Sequence, residues 1–258
     1  MSNEEVREKY IREFRPREYP EAMKGIPDVH SFYQNELHFI FNSPMSDSWR
    51  TLLDVGCGPT VANVFPATRR KIRSIVFSDL VPRNREEVEK WIQGASDAMD
   101  WSFMSEPLAI LEGCKDVKNE ARDIEERTRA AAKKVIPCDV LDPNVLPEEH
   151  KQAFDVVLSS LCLEAASRDE TTYRAVTRNV SSLIRQGGHL ILCGIAGSIE
   201  YTVGDATFPD LGLTKAMVEN ALSGSGLRVK HWSSLDKPIS SDSPKYWDFA
   251  FVVLAEKL

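Results

Sequence analysis

The stretch that decides the fold is residues 52–60, Leu-Leu-Asp-Val-Gly-Cys-Gly-Pro-Thr, where a short apolar run ends in an acid and a glycine-rich turn follows. Gly56 and Gly58 let the backbone turn tightly and approach a ligand without a Cβ in the way. A second apolar run, residues 75–79, ends in Asp79 roughly 20 residues after the turn. An acid on the tip of the next strand is placed to accept hydrogen bonds from ribose hydroxyls. The two segments predict a site for a cofactor that contains a nucleoside.

The spacing of the glycines narrows the choice of cofactor. A dinucleotide site needs a third small residue where the helix packs on the strand, and Val61 stands at that position. Pro59 also replaces the open helix start that would hold a pyrophosphate. Asp54, directly before the turn, favours a methyltransferase loop, which faces the amino-acid end of S-adenosylmethionine. A nicotinamide-dependent oxidoreductase and an ordinary strand–turn–helix stay as alternatives.

Composition and charge exclude several classes of protein. The chain of 258 residues, 42% of them hydrophobic and 28% charged, suffices for one large α/β domain. Its net charge of −7 argues against nucleic acid or an anionic membrane as a partner. No run approaches the ~18 apolar residues of a membrane helix. An acidic N-terminus and five dispersed cysteines predict a cytoplasmic protein with reduced thiols, and the histidines predict no metal site.

Strand-like and helix-like segments alternate along the chain. Strands are predicted at residues 51–55, 73–78, 134–138, 154–158, 188–193, 227–233 and 247–255. Helices are predicted at residues 3–14, 29–42, 60–68, 83–94, 116–133, 169–185 and 214–224. The alternation predicts an α/β fold with a doubly wound, seven-stranded, mostly parallel sheet.

The predicted organisation is one methyltransferase-type domain, residues 1–258. Residues 1–48 are expected to form a helical cap, and residues 49–258 the cofactor-binding core, with a substrate hairpin within 195–210. Gly187 and Gly188 read as a helix stop, and residues 240–244 as a loop between the last two strands.

Polar groups converge at the carboxyl ends of the predicted strands, where ligands bind in sheets of this type. They are the turn at 56–60, Asp79, Asp139 and the serines at 159–160. Asp139 follows an apolar run and is placed to accept a hydrogen bond from an adenine amino group. Its alternative role is to cap a turn.

These residues give the chain a family resemblance. It resembles the nicotinamide, phenylethanolamine and thioether/indolethylamine N-methyltransferases along nearly its whole length. The segments that carry the resemblance are FRPREY at 14–19, DVGCGPT at 54–60, EKW at 89–91, DWS at 100–102, CDV at 138–140 and LSSLCLEAA at 158–166. The resemblance implies a cytosolic, monomeric enzyme with a Rossmann-like methyltransferase fold that uses S-adenosylmethionine.

The resemblance also assigns residues to the methionine end of the cofactor. Tyr19 would lie over that end, with its hydroxyl near the carboxylate, and Thr60 would contact it as well. Gly56, Cys57 and Gly58 would supply the backbone of the first turn.

The other half of the cofactor is assigned in the same way. Asp79 would hold the ribose with Asn84 nearby. Asp139 and Val140 would bracket the adenine, one by a hydrogen bond and the other by apolar contact. Ser160 stands where the family places a small residue beside the cofactor.

Three positions depart from the family pattern. Lys24 and Ala62 stand where the family often has tyrosines, which weakens stacking or leaves the pocket more open. Gly194 stands at the end of the fifth strand, where nicotinamide-type members carry an aspartate. Phenylethanolamine-type members have glycine there and add acids just beyond it, but this chain continues with IAGS at 195–198.

Glu164 is therefore the predicted substrate-facing and catalytic acid. It lies in the Leu-Glu-Ala segment that the phenylethanolamine-type members share, and its alternative role is a helix-start acid favoured by the helix dipole. Ser198 and Tyr201 in the hairpin, and Tyr10 on the first helix, are further candidates for binding the substrate.

The predicted reaction is N-methylation of a small amine or aromatic nitrogen heterocycle, with nicotinamide as the first acceptor to expect. The protein would mainly align the reactants and exclude water. A pyridine nitrogen has no proton to lose, whereas an alkylammonium must lose one, and Glu164 could assist. The alternatives are a phenylethanolamine- or tryptamine-like amine N-methyltransferase, and a homologue that binds the cofactor with little turnover.

Overall fold

A computed structural model describes residues 1–237 and 247–258. The α-helices of this part are α1 (Asn3–Glu13), α2 (Tyr19–Lys24), α3 (Pro27–Asn42), α4 (Pro82–Gln93), α5 (Ser102–Leu111), α6 (Val117–Ala131), α7 (Glu170–Ser181) and α8 (Lys215–Gly224). The strands are β1 (Thr51–Val55), β2 (Ser74–Asp79), β3 (Ala132–Pro137), β4 (Phe154–Ser160), β5 (Ile184–Ala196), β6 (Glu200–Val203), β7 (Ala206–Pro209), β8 (Leu227–Asp236) and β9 (Phe249–Lys257). The predicted loop at 240–244 lies outside the described residues.

Seven strands form one sheet in the order β3-β2-β1-β4-β5-β9-β8. The strands from β3 to β5 pair in parallel, and β9 runs antiparallel to both β5 and β8. The predicted seven-stranded, mostly parallel sheet is confirmed. The order reverses between β1 and β4, and the crevice at such a reversal is where sheets of this type bind ligands.

The central strands of the sheet are buried on both faces, which explains their nearly continuous apolar runs, whereas the edge strands β3 and β8 are partly exposed. In β1, Leu52 belongs to the cluster that includes α3 and α5, while its neighbour Leu53 belongs to the cluster that includes α7 and α8. Both side chains are fully buried. Because successive side chains of a strand point to opposite faces, one apolar run supplies both layers of the core.

Two predicted helix boundaries are wrong. The segment predicted as a helix at 60–68 forms a 3₁₀ helix, Ala62–Arg69, which contains Pro66. Proline has no N–H to donate and so interrupts α-helical bonding. The helix predicted at 169–185 ends at Ser181, and β5 already begins at Ile184.

The predicted helix stop at 187–188 is therefore part of a strand. A Cβ at Gly188 would lie 2.9 Å from the backbone oxygen of Asp155, so the glycine allows β5 to approach β4 closely. The pairing shifts register at this point, between Phe154 and Val156. Two short helices, α2 and α5, were not predicted.

The predicted hairpin is confirmed as β6 and β7, which pair antiparallel around Gly204. Helix α1 packs against it: the rings of Tyr10 and Phe208 stack with centroids 4.6 Å apart. Phe14 and Val203 are buried in the same cluster. The N-terminal helix and the hairpin thus form one layer over the carboxyl ends of the strands. No helix within the described ranges has the length and apolarity to cross a bilayer.

Candidate active site

A cavity opens at the carboxyl ends of β1, β2 and β4, bounded above by α1 and β6. Most predicted site residues lie on its wall: Tyr10, Tyr19, Gly56, Gly58, Asp79, Asn84, Asp139, Val140, Ser160, Glu164, Ser198 and Tyr201. The fold thus brings together residues from seven separate segments of the chain. Their individual roles toward a cofactor or substrate stay predictions.

Two predicted site residues, Cys57 and Thr60, lie behind this wall. The backbone N–H of Cys57 donates to the carbonyl oxygen of Ser78 at 3.0 Å. The Thr60 hydroxyl accepts the backbone N–H of Ala62 at 3.1 Å and is almost fully buried. Both residues shape the glycine turn from within, and any contact they make with a cofactor stays a prediction.

The glycine turn requires left-handed backbone at two positions. Gly56 has φ +66° and Gly58 has φ +62°, a region that residues with a Cβ rarely adopt. A Cβ at Gly56 would lie only 2.1 Å from the Sγ atom of Cys162, whereas one at Gly58 would meet no atom within 4 Å. Gly56 therefore allows close packing, and Gly58 leaves the cavity open.

Asp79 connects this turn to the next strand. Its Oδ2 atom accepts the Gly58 N–H at 2.8 Å, and its Oδ1 atom accepts the Val81 N–H at 2.8 Å and the side-chain amide of Asn84 at 2.9 Å. Burial raises the pKa of Asp79, and these three donors oppose that shift. The Oδ1 atom of Asn84 is buried without a hydrogen-bond partner, although Asn84 lies on the cavity wall. A hydroxyl group entering beside Asp79 would supply the missing donor.

Asp54 is a fully buried acid two residues before Gly56 of the glycine turn. Its side chain is fully buried and neither carboxylate oxygen has a hydrogen-bond partner. Burial, and then the charge of Asp79, raise the pKa of Asp54 to about 8. A cationic ligand in the adjacent cavity would favour the ionised carboxylate. The site therefore suits a ligand with both ribose hydroxyls and a positive charge.

Replacing Asp54 with asparagine should make the dependence of stability on pH weaker. Because its folded-state pKa is raised above the usual 3.8, the ligand-free protein loses stability as pH rises from that value toward about 8. An asparagine side chain would not titrate. We expect the melting temperature of Asp54→Asn, relative to wild type, to rise between about pH 5 and about pH 9. A constant difference across that range would contradict the buried, unpaired state of Asp54.

Asp139 joins the core to the N-terminal helix. Its Oδ2 atom accepts a hydrogen bond from Nε of Arg7 at 2.6 Å, and its Oδ1 atom accepts the Leu141 N–H at 3.0 Å. The second bond is the turn cap considered above, and Asp139 also lies on the cavity wall beside Val140. Arg7 was not predicted as a site residue, because nothing local in the sequence shows that helix α1 reaches Asp139.

Glu164, the predicted substrate-facing acid, also lies on the cavity wall. Its carboxyl group is buried, its Oε1 atom accepts the Ile195 N–H at 3.4 Å, and burial raises its pKa to about 7. Nearby, the hydroxyls of Tyr10 and Tyr201 are 2.8 Å apart. An acid with a pKa near neutrality can hold or release a proton at a bound amine.

Comparison with known proteins identifies the family. The model of the NNMT/PNMT/TEMT family matches residues 4–258. The chain belongs to this family. Membership makes the protein an S-adenosylmethionine-dependent N-methyltransferase of small molecules, which confirms the predicted enzyme class and cofactor. The dehydrogenase alternative is thereby set aside.

Three relatives show how this NNMT/PNMT/TEMT family member compares with individual enzymes. Human nicotinamide N-methyltransferase is 32% identical over 238 residues, covering 90% of this chain and 89% of the relative. Human phenylethanolamine N-methyltransferase is 33% identical over 186 residues, covering 71% and 64%. Rabbit indolethylamine N-methyltransferase is 31% identical over 267 residues, covering 97% and 96%. Such similar identities do not single out one acceptor.

Solved structures share the fold. Magnesium protoporphyrin IX methyltransferase from Synechocystis PCC 6803, with bound S-adenosylmethionine, superimposes with a TM-score of 0.62 at 12% identity, covering 99% of this chain and 97% of that one. An S-adenosylmethionine-dependent methyltransferase from Methanosarcina mazei gives 0.56, also at 12% identity, covering 84% and 98%. The Rossmann-like methyltransferase fold is confirmed. The monomeric state, the cytoplasmic location and the lack of a nucleic-acid partner stay predictions.

Proposed function

We propose that this protein methylates the nitrogen of a small amine that carries an aromatic or apolar body. The observation that carries the proposal is the buried carboxyl group of Glu164, which lines the same cavity as the hydrogen-bonded hydroxyls of Tyr10 and Tyr201. A buried acid among aromatic side chains suits a ligand with one basic nitrogen and an apolar remainder.

The cofactor would occupy the side of the cavity nearest β1 and β2. Asp79 and Asn84 would bind the ribose hydroxyls, and the unpaired Oδ1 atom of Asn84 supports this. Asp139 and Val140 would bracket the adenine, and Tyr19 would cover the methionine end. The net positive charge of the ligand would favour ionisation of the buried Asp54 carboxyl group.

The chain's own residues would then orient the acceptor and manage its proton. When bound, S-adenosylmethionine supplies a methyl group on a sulfonium; the acceptor nitrogen attacks it with a lone pair, and sulfur keeps the electrons of the broken carbon–sulfur bond. A protonated amine has no lone pair to use, so Glu164 would first accept its proton at a carboxylate oxygen. Helix α1 and hairpin β6–β7 would exclude water from the reaction.

Nicotinamide is the second candidate, supported by the human nicotinamide N-methyltransferase, which is 32% identical over 90% of this chain. Gly194 weighs against it. A Cβ there would lie 2.5 Å from Cζ of Phe251 and 2.9 Å from Oε1 of Glu164, so an aspartate at this position would require both side chains to move. Glu164 itself would have to orient the carboxamide. An amine acceptor would bind the Glu164 carboxyl group directly and would not need an aspartate at position 194.

Replacing Glu164 with glutamine should separate acceptors that must lose a proton from those that do not. We expect kcat/KM for phenylethanolamine or tryptamine to fall roughly 100-fold or more, because the proton acceptor is gone. Quinoline, which has no proton to lose, should keep its rate. The measurement is transfer of a radiolabelled methyl group to these three acceptors and to nicotinamide.

The control is Glu126→Gln, which makes the same substitution at an exposed position of α6. Wild-type transfer to nicotinamide alone would favour the second candidate. Tight cofactor binding with no transfer to any acceptor would support the homologue with little turnover. Wild-type rates in Glu164→Gln would contradict the role of this acid.

A further inference from the structure

Asp210 is an acid on the cavity wall that the sequence did not assign. It follows β7 directly, at the point where the hairpin returns to the core. Its backbone N–H donates to the Ile199 oxygen at 2.7 Å, and its Oδ1 atom accepts the Leu211 N–H at 3.0 Å. The side chain is half-buried, so a ligand in the cavity can reach it.

The backbone holds Asp210 and Glu164 together. The same Leu211 N–H that bonds Asp210 also points to the carbonyl oxygen of Glu164 at 3.3 Å. Both acids line one cavity. The Glu164 carboxylate accepts backbone N–H groups, among them that of Ile195 at 3.4 Å, and the Ser198 side chain bonds Asp210. No cationic side chain forms an ion pair with either acid among the described residues, so both present carboxyl groups to the same space.

The titratable side chains around Asp210 are mostly acidic residues and tyrosines, with Arg168 as the cation. Burial raises the pKa of Asp210 well above its usual value, and the charge of Glu164 raises it further. The hydrogen bonds from Leu211 and Ser198, and then the charge of Arg168, oppose the shift. Two nitrogens of Arg168 are buried without a hydrogen-bond partner. The phenols that sense the charge of Asp210 are Tyr10, Tyr33 and Tyr201. When both acids ionise, the two acids and Arg168 carry one net negative charge, which one ammonium group would balance.

We propose that Asp210 and Glu164 form a two-carboxyl clamp for the ammonium group of a primary or secondary amine. This inference rests on the proposed function and narrows its substrate class. Such an ammonium has at least two N–H donors, one for each acid, whereas a pyridine-type heterocycle has none. Asp210 keeps its N–H bond while Glu164 takes one proton: the N–H bond breaks, an O–H bond forms, and nitrogen keeps the electron pair. Asp210 is thus a binding and specificity residue.

The second acid does not come from the strand that carries Gly194. The residues just beyond Gly194, at 195–198, are Ile-Ala-Gly-Ser, and none of them is acidic. Asp210 reaches the cavity from the far side of the hairpin instead. Hairpin β6–β7 therefore covers the site and also positions the second acid, Asp210, on the cavity wall.

The test measures binding, without turnover. Phenylethylamine is titrated by calorimetry into wild type, Asp210→Asn and Asp205→Asn, each saturated with S-adenosylhomocysteine, in two buffers of different ionisation enthalpy. Asp205 is an exposed residue of the same hairpin, so its variant is the matched control. We expect Asp210→Asn to bind the amine at least 10-fold more weakly and to release fewer protons on binding. Asp205→Asn should behave as wild type, and quinoline binding should not change.

Two further measurements keep the outcomes separate. Unchanged affinity for S-adenosylhomocysteine in Asp210→Asn shows that the variant is folded, and Asp210→Ser, which also lacks the charge, should reproduce the loss. Wild-type amine affinity in both variants would overturn the clamp and leave the proposed function intact. If the wild-type protein binds S-adenosylhomocysteine but does not bind the amine, both the clamp and the proposed function are overturned.

Discussion

Replacing Asp79 with alanine is expected to weaken the binding of S-adenosylmethionine by about 1–3 kcal/mol, or about 5- to 150-fold. Two effects add up. The ribose would lose a charged hydrogen-bond acceptor, and the Gly58 N–H, the Val81 N–H and the Asn84 amide would lose the acceptor that they share. The glycine turn would then lose its fixed position against β2.

Calorimetric titration of S-adenosylmethionine and of S-adenosylhomocysteine measures this effect. Asp123→Ala, the same substitution at an exposed position of α6, is the control and should bind as wild type. Since Asp79 also supports the turn, the melting temperature of each variant is recorded without ligand. An Asp79→Ala protein that is folded and binds the cofactor with wild-type affinity would refute the ribose assignment.

The cofactor side of the site could be predicted because its signals are local. The turn at 56–60 and Asp79 lie at the ends of adjacent parallel strands, β1 and β2, and parallel pairing brings these ends together. The sequence spacing therefore already predicts that the glycine turn and the acid at the end of the next strand lie side by side. The same logic predicted the sheet itself, whose strands are long apolar runs.

The acceptor side could not be predicted in the same way. Asp210 reaches the cavity only because the hairpin folds back over β5, and Arg7 reaches Asp139 only because α1 packs across the strand ends. No spacing of residues in the sequence indicates either contact. The boundary between α7 and β5 failed for a related reason: β5 begins at Ile184 because this residue pairs with Phe154 of β4, which is distant in the sequence.

Asp54 shows a third limit on what the sequence can predict. Its position before the turn was apparent in the sequence, but its complete burial without a hydrogen-bond partner was not. Burial raises the pKa of Asp54 to about 8, so the carboxyl group is mainly protonated at neutral pH in the ligand-free protein. A cationic cofactor beside it would favour the ionised form.

Replacing Gly56 with alanine is the second change with a large expected effect, and Gly58→Ala is its matched partner. Both positions have left-handed φ values, so each alanine costs roughly 1–2 kcal/mol of folding free energy. Gly56→Ala adds a collision, because its Cβ would lie 2.1 Å from Sγ and 2.7 Å from Cβ of Cys162. Overpacking of that kind costs roughly 1–3 kcal/mol more.

Urea unfolding without ligand should therefore show the larger loss of stability for Gly56→Ala, with Gly58→Ala closer to wild type. Adding Cys162→Ala should restore part of the loss, because it removes the sulfur but leaves the Cβ contact at 2.7 Å. Cofactor affinity should fall more in Gly58→Ala than in Gly56→Ala, although Gly58→Ala is the more stable variant. The methyl group of Gly58→Ala would extend from the cavity wall into open space that the cofactor needs, so this variant should lose affinity while it stays folded. Equal unfolding curves for the two variants would mean that left-handed backbone alone, and not close packing against Cys162, requires glycine at position 56.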